Sequence, residues 1–172
     1  MNTVKITSGI YRGHAIQTPG AGTHPMGARE KLALFNMVAG FLPGARVLDA
    51  YAGSGALGLE ALSRGAGEVV FIEKAPNAAR IIRENLATLG VEAEIITQDI
   101  VNFTTDKKFG VILADPPYDD FKLAGVEHLA ILLADGGILV LSHPGEAPDL
   151  PSLTLEKSRS YAGATISIYR KN

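Results

Sequence analysis

VLDAYAGSGALGLEAL, residues 47–62, decides the fold. It joins an apolar run to a glycine-rich loop and then to a helix-forming run. A strand, a tight glycine loop and a helix in that order form the opening unit of an alternating α/β chain. Downstream, Val/Ile/Leu-rich runs predict strands at 46–50, 68–72, 93–97, 109–114 and 137–142. Helical patterns separate them at 56–64, 76–89, a short piece near 99–104, and 122–133. Continuous apolar strands alternating with amphipathic helices predict a mostly parallel sheet with helices on both faces. Two late strands, 153–157 and 164–170, are joined by a short turn and read as an antiparallel hairpin. Upstream, VKITSGIYRGHAI (4–16) reads as a short hairpin turning at Ser8-Gly9, and QTPGAGTHPMGA (17–28) as a Gly/Pro loop. REKLALFNMVAGFL (29–42) has helical spacing and is stopped by Pro43-Gly44.

The 172 residues suffice for one domain with a substantial core, and 47% hydrophobic with 20% charged residues is ordinary for a globular protein. Without cysteine, disulfides, thiolate metal sites and cysteine nucleophiles are excluded. His14, His24, His128 and His143 show no metal-ligand spacing. No apolar run approaches the roughly 20 residues needed to span a bilayer, and MNTVKITSGIYRG lacks the order of a secretory signal. A cytoplasmic, metal-independent protein is therefore expected, with a monomer as the default. The net charge of -2 conceals an uneven distribution. Residues 1–46 set Lys5, Arg12, Arg29, Lys31 and Arg46 against Glu30 alone, and 157–172 hold Lys157, Arg159, Arg170 and Lys171 with no acid. Two basic ends around an acidic centre can make a polyanion-facing rim, and equally a solvated surface.

Gly53, Gly55 and Gly58 fit G-x-G-x-x-G, a spacing that brings backbone close to a nucleotide at a helix N-terminus. Alone, that pattern suits a dinucleotide equally well. Asp49 changes the weighting, because a carboxylate at this strand end opposes a pyrophosphate and suits a cationic ligand. S-adenosylmethionine carries a sulfonium and an amino acid and no phosphate. Hydrogen bonding of Asp49 to loop amides is compatible with that role. Glu73 ends the second strand, where an acid can accept from both ribose hydroxyls. Asp99 follows the third, where a carboxylate can accept from an adenine amine. Singly each acid reads as a helix cap or solvated charge. Three at successive strand ends of one parallel sheet share the edge at which ligands bind.

ILADPPYDD (112–120) closes the fourth strand. Proline fixes its own φ and holds the preceding residue extended, so Asp115 and Pro116 keep their shape with few contacts. The Asp115 carboxylate and a loop carbonyl make two acceptors for the two N–H groups of an exocyclic amine. Tyr118 offers a face for a base taken out of its stack. A proline-stiffened turn with a half-buried tyrosine is the bland alternative.

With these residues in place, the sequence resembles class I S-adenosylmethionine-dependent methyltransferases of nucleobase amines, whose motif is D/N-P-P-Y/F. Within them it resembles the bacterial RsmD family, which methylates a guanosine exocyclic amine in 16S ribosomal RNA. ITSGIYRGHAIQTP, AGSGALGLEALSRGA (52–66), DPPY, LADGGILVLSH (133–143) and GATISIYRK carry the likeness over nearly the whole chain. It departs at His24, Met26, Ala28 and Leu32, where the family usually has arginine, threonine, an acid and glutamate, in a segment over the cofactor and substrate entrance.

The resemblance implies a Rossmann-like methyltransferase domain over 44–172, preceded by a basic hairpin, loop and helix extension over 1–43, in one compact unit. It implies S-adenosylmethionine held by Asp49, Ala52, Gly53, Ser54, Gly55, Glu73, Lys74, Asp99 and Ile100, with no metal. Asp115, Pro116, Pro117 and Tyr118 would be the catalytic motif. Lys5, Arg12, Arg29 and Lys31 would hold phosphates of 16S ribosomal RNA, presented within a small-subunit particle, with the C-terminal hairpin assisting. A DNA adenine or cytosine amino-methyltransferase shares DPPY but normally needs more sequence for target recognition. A nicotinamide-dependent oxidoreductase is disfavoured by Asp49, and a non-catalytic RNA-binding relic by the intact acids.

Overall fold

The computed structural model describes residues 2–20 and 26–172. A hairpin of β1 (Asn2–Lys5) and β2 (Ala15–Thr18) precedes α1 (Ala28–Val38). There follow β3 (Arg46–Asp49), α2 (Ala56–Ser63), β4 (Glu68–Ile72), α3 (Pro76–Leu89), β5 (Glu94–Ile96), β6 (Phe109–Ala114), α4 (Leu123–Leu132), β7 (Leu133–His143), β8 (Leu153–Tyr161) and β9 (Ala164–Lys171). The seven-stranded sheet runs β5-β4-β3-β6-β7-β9-β8. Strands β3 to β7 are parallel, while β9 pairs antiparallel with both β7 and β8. The chain runs outward from β3 to β5, then returns to β6 on the other side of β3. That reversal opens a crevice between β3 and β6, where ligands bind in open α/β sheets.

Alternate residues of each central strand enter opposite cores. Val47, Phe71, Val111, Leu113 and Val140 face the layer of α1, α2 and α3. Leu48, Val70, Ile112, Leu139 and Leu141 face α4 and the turn at Ile100–Asn102. The period of two explains why these strands are apolar throughout: both faces are covered. Gly58 shows how tight the packing is. A Cβ there would lie 2.3 Å from the Phe71 ring and 3.0 Å from the Asp49 carboxylate. Only glycine lets α2 approach β4 so closely.

Four elements depart from the sequence reading, among them β8, which runs on to Tyr161 rather than ending at 157 because residues 158–161 still pair with β9. The N-terminal hairpin does not turn at Ser8-Gly9. Its ladder continues to Ile6 and His14, and the intervening loop leaves the hairpin to dock on α2. The Thr7 and Ser8 amides donate to the Glu60 carboxylate at 2.9 and 3.2 Å, and Ile10 N–H donates to the Ser63 carbonyl at 2.9 Å. Gly9, at φ +86°, sits where a Cβ would be 1.8 Å from that carbonyl oxygen. The piece near 99–104 is a single 3-10 turn over Ile100–Asn102. Strand β7 begins at Leu133 rather than 137, because Leu133 already pairs with Phe109. The extra residues bulge out at Ala134–Gly137, where Gly136 takes φ +74°.

Candidate active site

Asp49, Glu73, Asp99 and Asp115 all lie at or just beyond the C-terminal ends of adjacent parallel strands, along one edge of the sheet. Asp49 is 1% exposed. Its Oδ2 accepts the Gly58 N–H at 2.9 Å, while Oδ1 is buried with no hydrogen-bond partner among the described residues. Burial pushes its carboxyl up to about 8, against the lowering effect of the Gly58 bond; the Asp115 and Glu73 carboxylates add to the rise. A buried acceptor without a donor costs about 1–3 kcal/mol, and a cationic donor would remove that cost. The site therefore fits a ligand with a positive, N–H-bearing group.

The glycine loop is fixed from three sides. Ala52 N–H donates to the Ile72 carbonyl at 2.9 Å, and Gly53 N–H to Glu73 Oε1 at 2.9 Å. Gly53 and Gly55 take φ +56° and +83°, conformations that favour glycine. Asn85 of α3 donates to the Ser54 carbonyl at 2.9 Å. The same side chain also accepts from Gln17 N–H and donates to Gln17 O, so it ties the hairpin to the loop. Glu73 completes its own turn by accepting from Ala75 N–H at 2.7 Å. Lys74 is exposed and 4.0 Å from Asp120. Asp99 caps the 3-10 turn, accepting from Val101 N–H at 3.1 Å, and Ile100 is buried in the core beneath it.

Asp115 follows β6. Burial raises its carboxyl to about 6, opposed by the Ser142 hydroxyl. Pro116 is buried, Pro117 exposed, and Tyr118 half-buried at the start of a 3-10 turn over Tyr118–Asp120. The Tyr118 hydroxyl is hydrogen-bonded to Ser142 Oγ. A cavity of about 390 Å³ opens between this motif, the glycine loop and the N-terminal hairpin. Asp115, Tyr51, Gly53, Lys5 and Met26 are among its walls. Of the positions that depart from the family pattern, Met26 and Ala28 line this cavity, Leu32 is 46% exposed, and His24 lies outside the described residues.

The expected basic contacts separate. Lys5, Arg12 and Arg29 are exposed on the hairpin, its docked loop and the first turn of α1. Lys31 lines the cavity instead of the exposed surface. It is 6% exposed, its ammonium lies 3.6 Å from Glu60, and it donates to the Lys5 carbonyl at 3.3 Å. At the other end, Arg170 is bonded to Glu156 and Lys171 donates to the Ala130 and Leu133 carbonyls at 3.0 Å each. Those two charges hold the fold; Lys157 and Arg159 are exposed.

A family profile described as Conserved hypothetical protein 95 matches residues 4–170. The chain belongs to that family. A relative in it is Ribosomal RNA small subunit methyltransferase D of Escherichia coli (strain K12), 35% identical over 140 residues that cover 79% of this chain and 69% of the relative. Among solved structures, yhhF from Escherichia coli superposes with a TM-score of 0.91 at 28% identity over 99% of both chains. The Thermus thermophilus 16S rRNA N2 G1207 methyltransferase, solved with AdoMet and guanosine, superposes with a TM-score of 0.75. It is 22% identical and is matched over 50% of its length, so it speaks to the fold. Family and fold together make this chain a Rossmann-like methyltransferase of the RsmD type.

Four residues that sequence reading did not single out shape the site: Tyr51, Glu60, Asn85 and Ser142. Tyr51 lies two residues before the glycine motif, and burial, with the nearby Asp99 carboxylate, pushes its phenol up to about 12. Glu60 is a lone acid on an otherwise apolar stretch of α2, a visible anomaly. Asn85 and Ser142 carry no such signal, since each acts through partners distant in sequence.

Proposed function

We propose that the protein transfers the methyl group of S-adenosylmethionine to the exocyclic N2 amine of a guanosine in 16S ribosomal RNA. One observation carries this reading: Asp115, the first residue of the 115–118 motif, lines the same cavity as the glycine loop, at the sheet edge where Asp49 keeps a buried oxygen without a partner among the described residues. Asp49 and the Ala52–Gly55 backbone would hold the cationic amino-acid end of the cofactor. Glu73 and Asp99 would take its ribose and adenine, flanked by Lys74 and Ile100. Bound there, S-adenosylmethionine supplies an already activated methyl group, so the protein's task is mainly positioning.

The Asp115 carboxylate and the Pro116 carbonyl would accept the two N–H groups of the amine and leave its lone pair directed at the methyl carbon. So held, the amine nitrogen would accept the methyl group and then shed one proton. With its carboxyl at about 6, Asp115 is mostly ionised at neutral pH and serves as an acceptor. Tyr118 would lie against the base. Lys5, Arg12 and Arg29 would contact phosphates on the hairpin side. Guanine as the base rests on the resemblance to the RsmD family, and the small-subunit rRNA on the Escherichia coli relative named for it.

Tritiated-methyl transfer to 16S ribosomal RNA, free and in 30S particles, followed by nucleoside analysis, tests the assignment. N2-methylguanosine is expected. Methyladenine or methylcytosine in DNA, or no methylated nucleoside at all, overturns it. Asp115→Ala is expected to abolish transfer while S-adenosylmethionine still binds; loss of binding would mean that Asp115 belongs to the cofactor site.

A further inference from the structure

Ser142 lies one residue beyond the last paired position of the β6–β7 ladder. Ala114 pairs with Leu141 there, so Asp115 and Ser142 emerge side by side at the active edge. On its other flank Ser142 pairs with Ile166 of β9, and the residue is 1% exposed. Pairing with β9 on one side, and the β6 ladder that ends one residue earlier on the other, fix its backbone, while the motif it faces is a short loop. Its Oγ is bonded to the Tyr118 hydroxyl, and its hydroxyl neighbours the Asp115 carboxylate, whose proton affinity it lowers.

A serine hydroxyl has one proton and two lone pairs, and an ionised carboxylate only accepts. When the single proton of Ser142 is turned to the ionised Asp115, Tyr118 is the donor to Ser142. One hydroxyl fixes both the carboxylate and the far end of the aromatic ring. We propose that Ser142 is a positioning residue for methyl transfer, holding the Asp115 carboxylate and the Tyr118 ring in mutual register on the rigid end of β7. The proposal rests on the reading of Asp115–Tyr118 as the transfer site. Other charged or titratable groups near this pair are Asp49 of β3, Glu30 and Lys31 of α1, and Tyr51.

Two arms test it. In the first, the Asp115 carboxyl carbon is titrated by NMR in the wild type, Ser142→Ala and Tyr118→Phe. The wild type is expected near 6, Ser142→Ala higher by about one pH unit, and Tyr118→Phe close to the wild type. An unmoved midpoint in Ser142→Ala overturns the proposal, whether or not the protein methylates RNA. In the second, transfer kinetics follow the two single variants and the double variant. Ser142→Ala is expected to lower kcat about tenfold to 100-fold with cofactor Kd unchanged, and adding Tyr118→Phe to cause little further loss. Undiminished kcat, or losses that multiply, overturn it. A wild type inactive on ribosomal RNA refutes the functional reading instead and leaves the first arm to decide the role of Ser142.

Discussion

Burial that raises the Asp49 carboxyl to about 8 has a measurable consequence for stability and for ligand binding. The carboxyl moves from the ordinary 3.8 to about 8 on folding. A raised carboxyl binds its proton more tightly in the native state, so its contribution to stability is complete below about 4 and is lost as pH rises through about 8. Between those limits the native state holds one proton that the unfolded chain has released, a slope of about 1.4 kcal/mol per pH unit. From about pH 5 to about pH 7 this one residue should cost the ligand-free protein ~3 kcal/mol. Asp49→Asn retains an oxygen to accept the Gly58 N–H but cannot titrate. Urea unfolding at several pH values should show stability falling more steeply in the wild type than in the variant by that amount. A cationic ligand should reverse the preference by drawing the proton off. S-adenosylmethionine binding at pH 7 should then release ~0.9 proton, read by calorimetry in buffers of different ionisation enthalpy. The variant should release none and bind more weakly. Parallel pH slopes for the two proteins, or a binding enthalpy independent of buffer, would refute the idea that Asp49 holds its proton until a cation arrives.

Further outcomes follow from other contacts. With cofactor and RNA saturating, kcat should fall about tenfold per pH unit below about 6, because protonated Asp115 no longer offers an acceptor to both sides of the amine. A limb near pH 4 would place that carboxyl in water. Gly9→Ala puts a Cβ 1.8 Å from the Ser63 carbonyl at a positive φ. It should release the Arg12 loop from α2 and raise KM for RNA, with S-adenosylmethionine affinity measured by calorimetry unchanged. Glu60 is fully buried; burial would raise its carboxyl, but the Thr7 amide, Arg64 and Lys31 hold it below the usual range. Glu60→Gln leaves Lys31 and Arg64 without their counter-ion and should cost about 3–5 kcal/mol in denaturant melts. That carboxyl's contribution is complete above its ordinary value and should disappear as pH falls through its lowered one.

The strand–loop–helix unit at 47–62 and the apolar runs after it determined the α/β class and most element positions. Both signals are local: the period of side-chain burial and the backbone freedom of glycine. The acids at the strand ends were legible for the same reason, since a charge that closes an apolar strand must lie at the sheet edge. Only the tertiary structure decided which charges are free. Lys31 reads as one more basic residue of the N-terminal segment, yet it is buried against Glu60, which lies on a different helix. Lys171 likewise spends its charge on the carbonyls that end α4. The hairpin's long loop could not be read as it stands because Glu60 and Ser63, not its own residues, shape it. Asn85 and Ser142 acquire their roles from partners on other elements. Propensity and period are properties of neighbours along the chain, whereas hydrogen-bond partners and desolvation belong to neighbours in space, and those exist only once the sheet has formed.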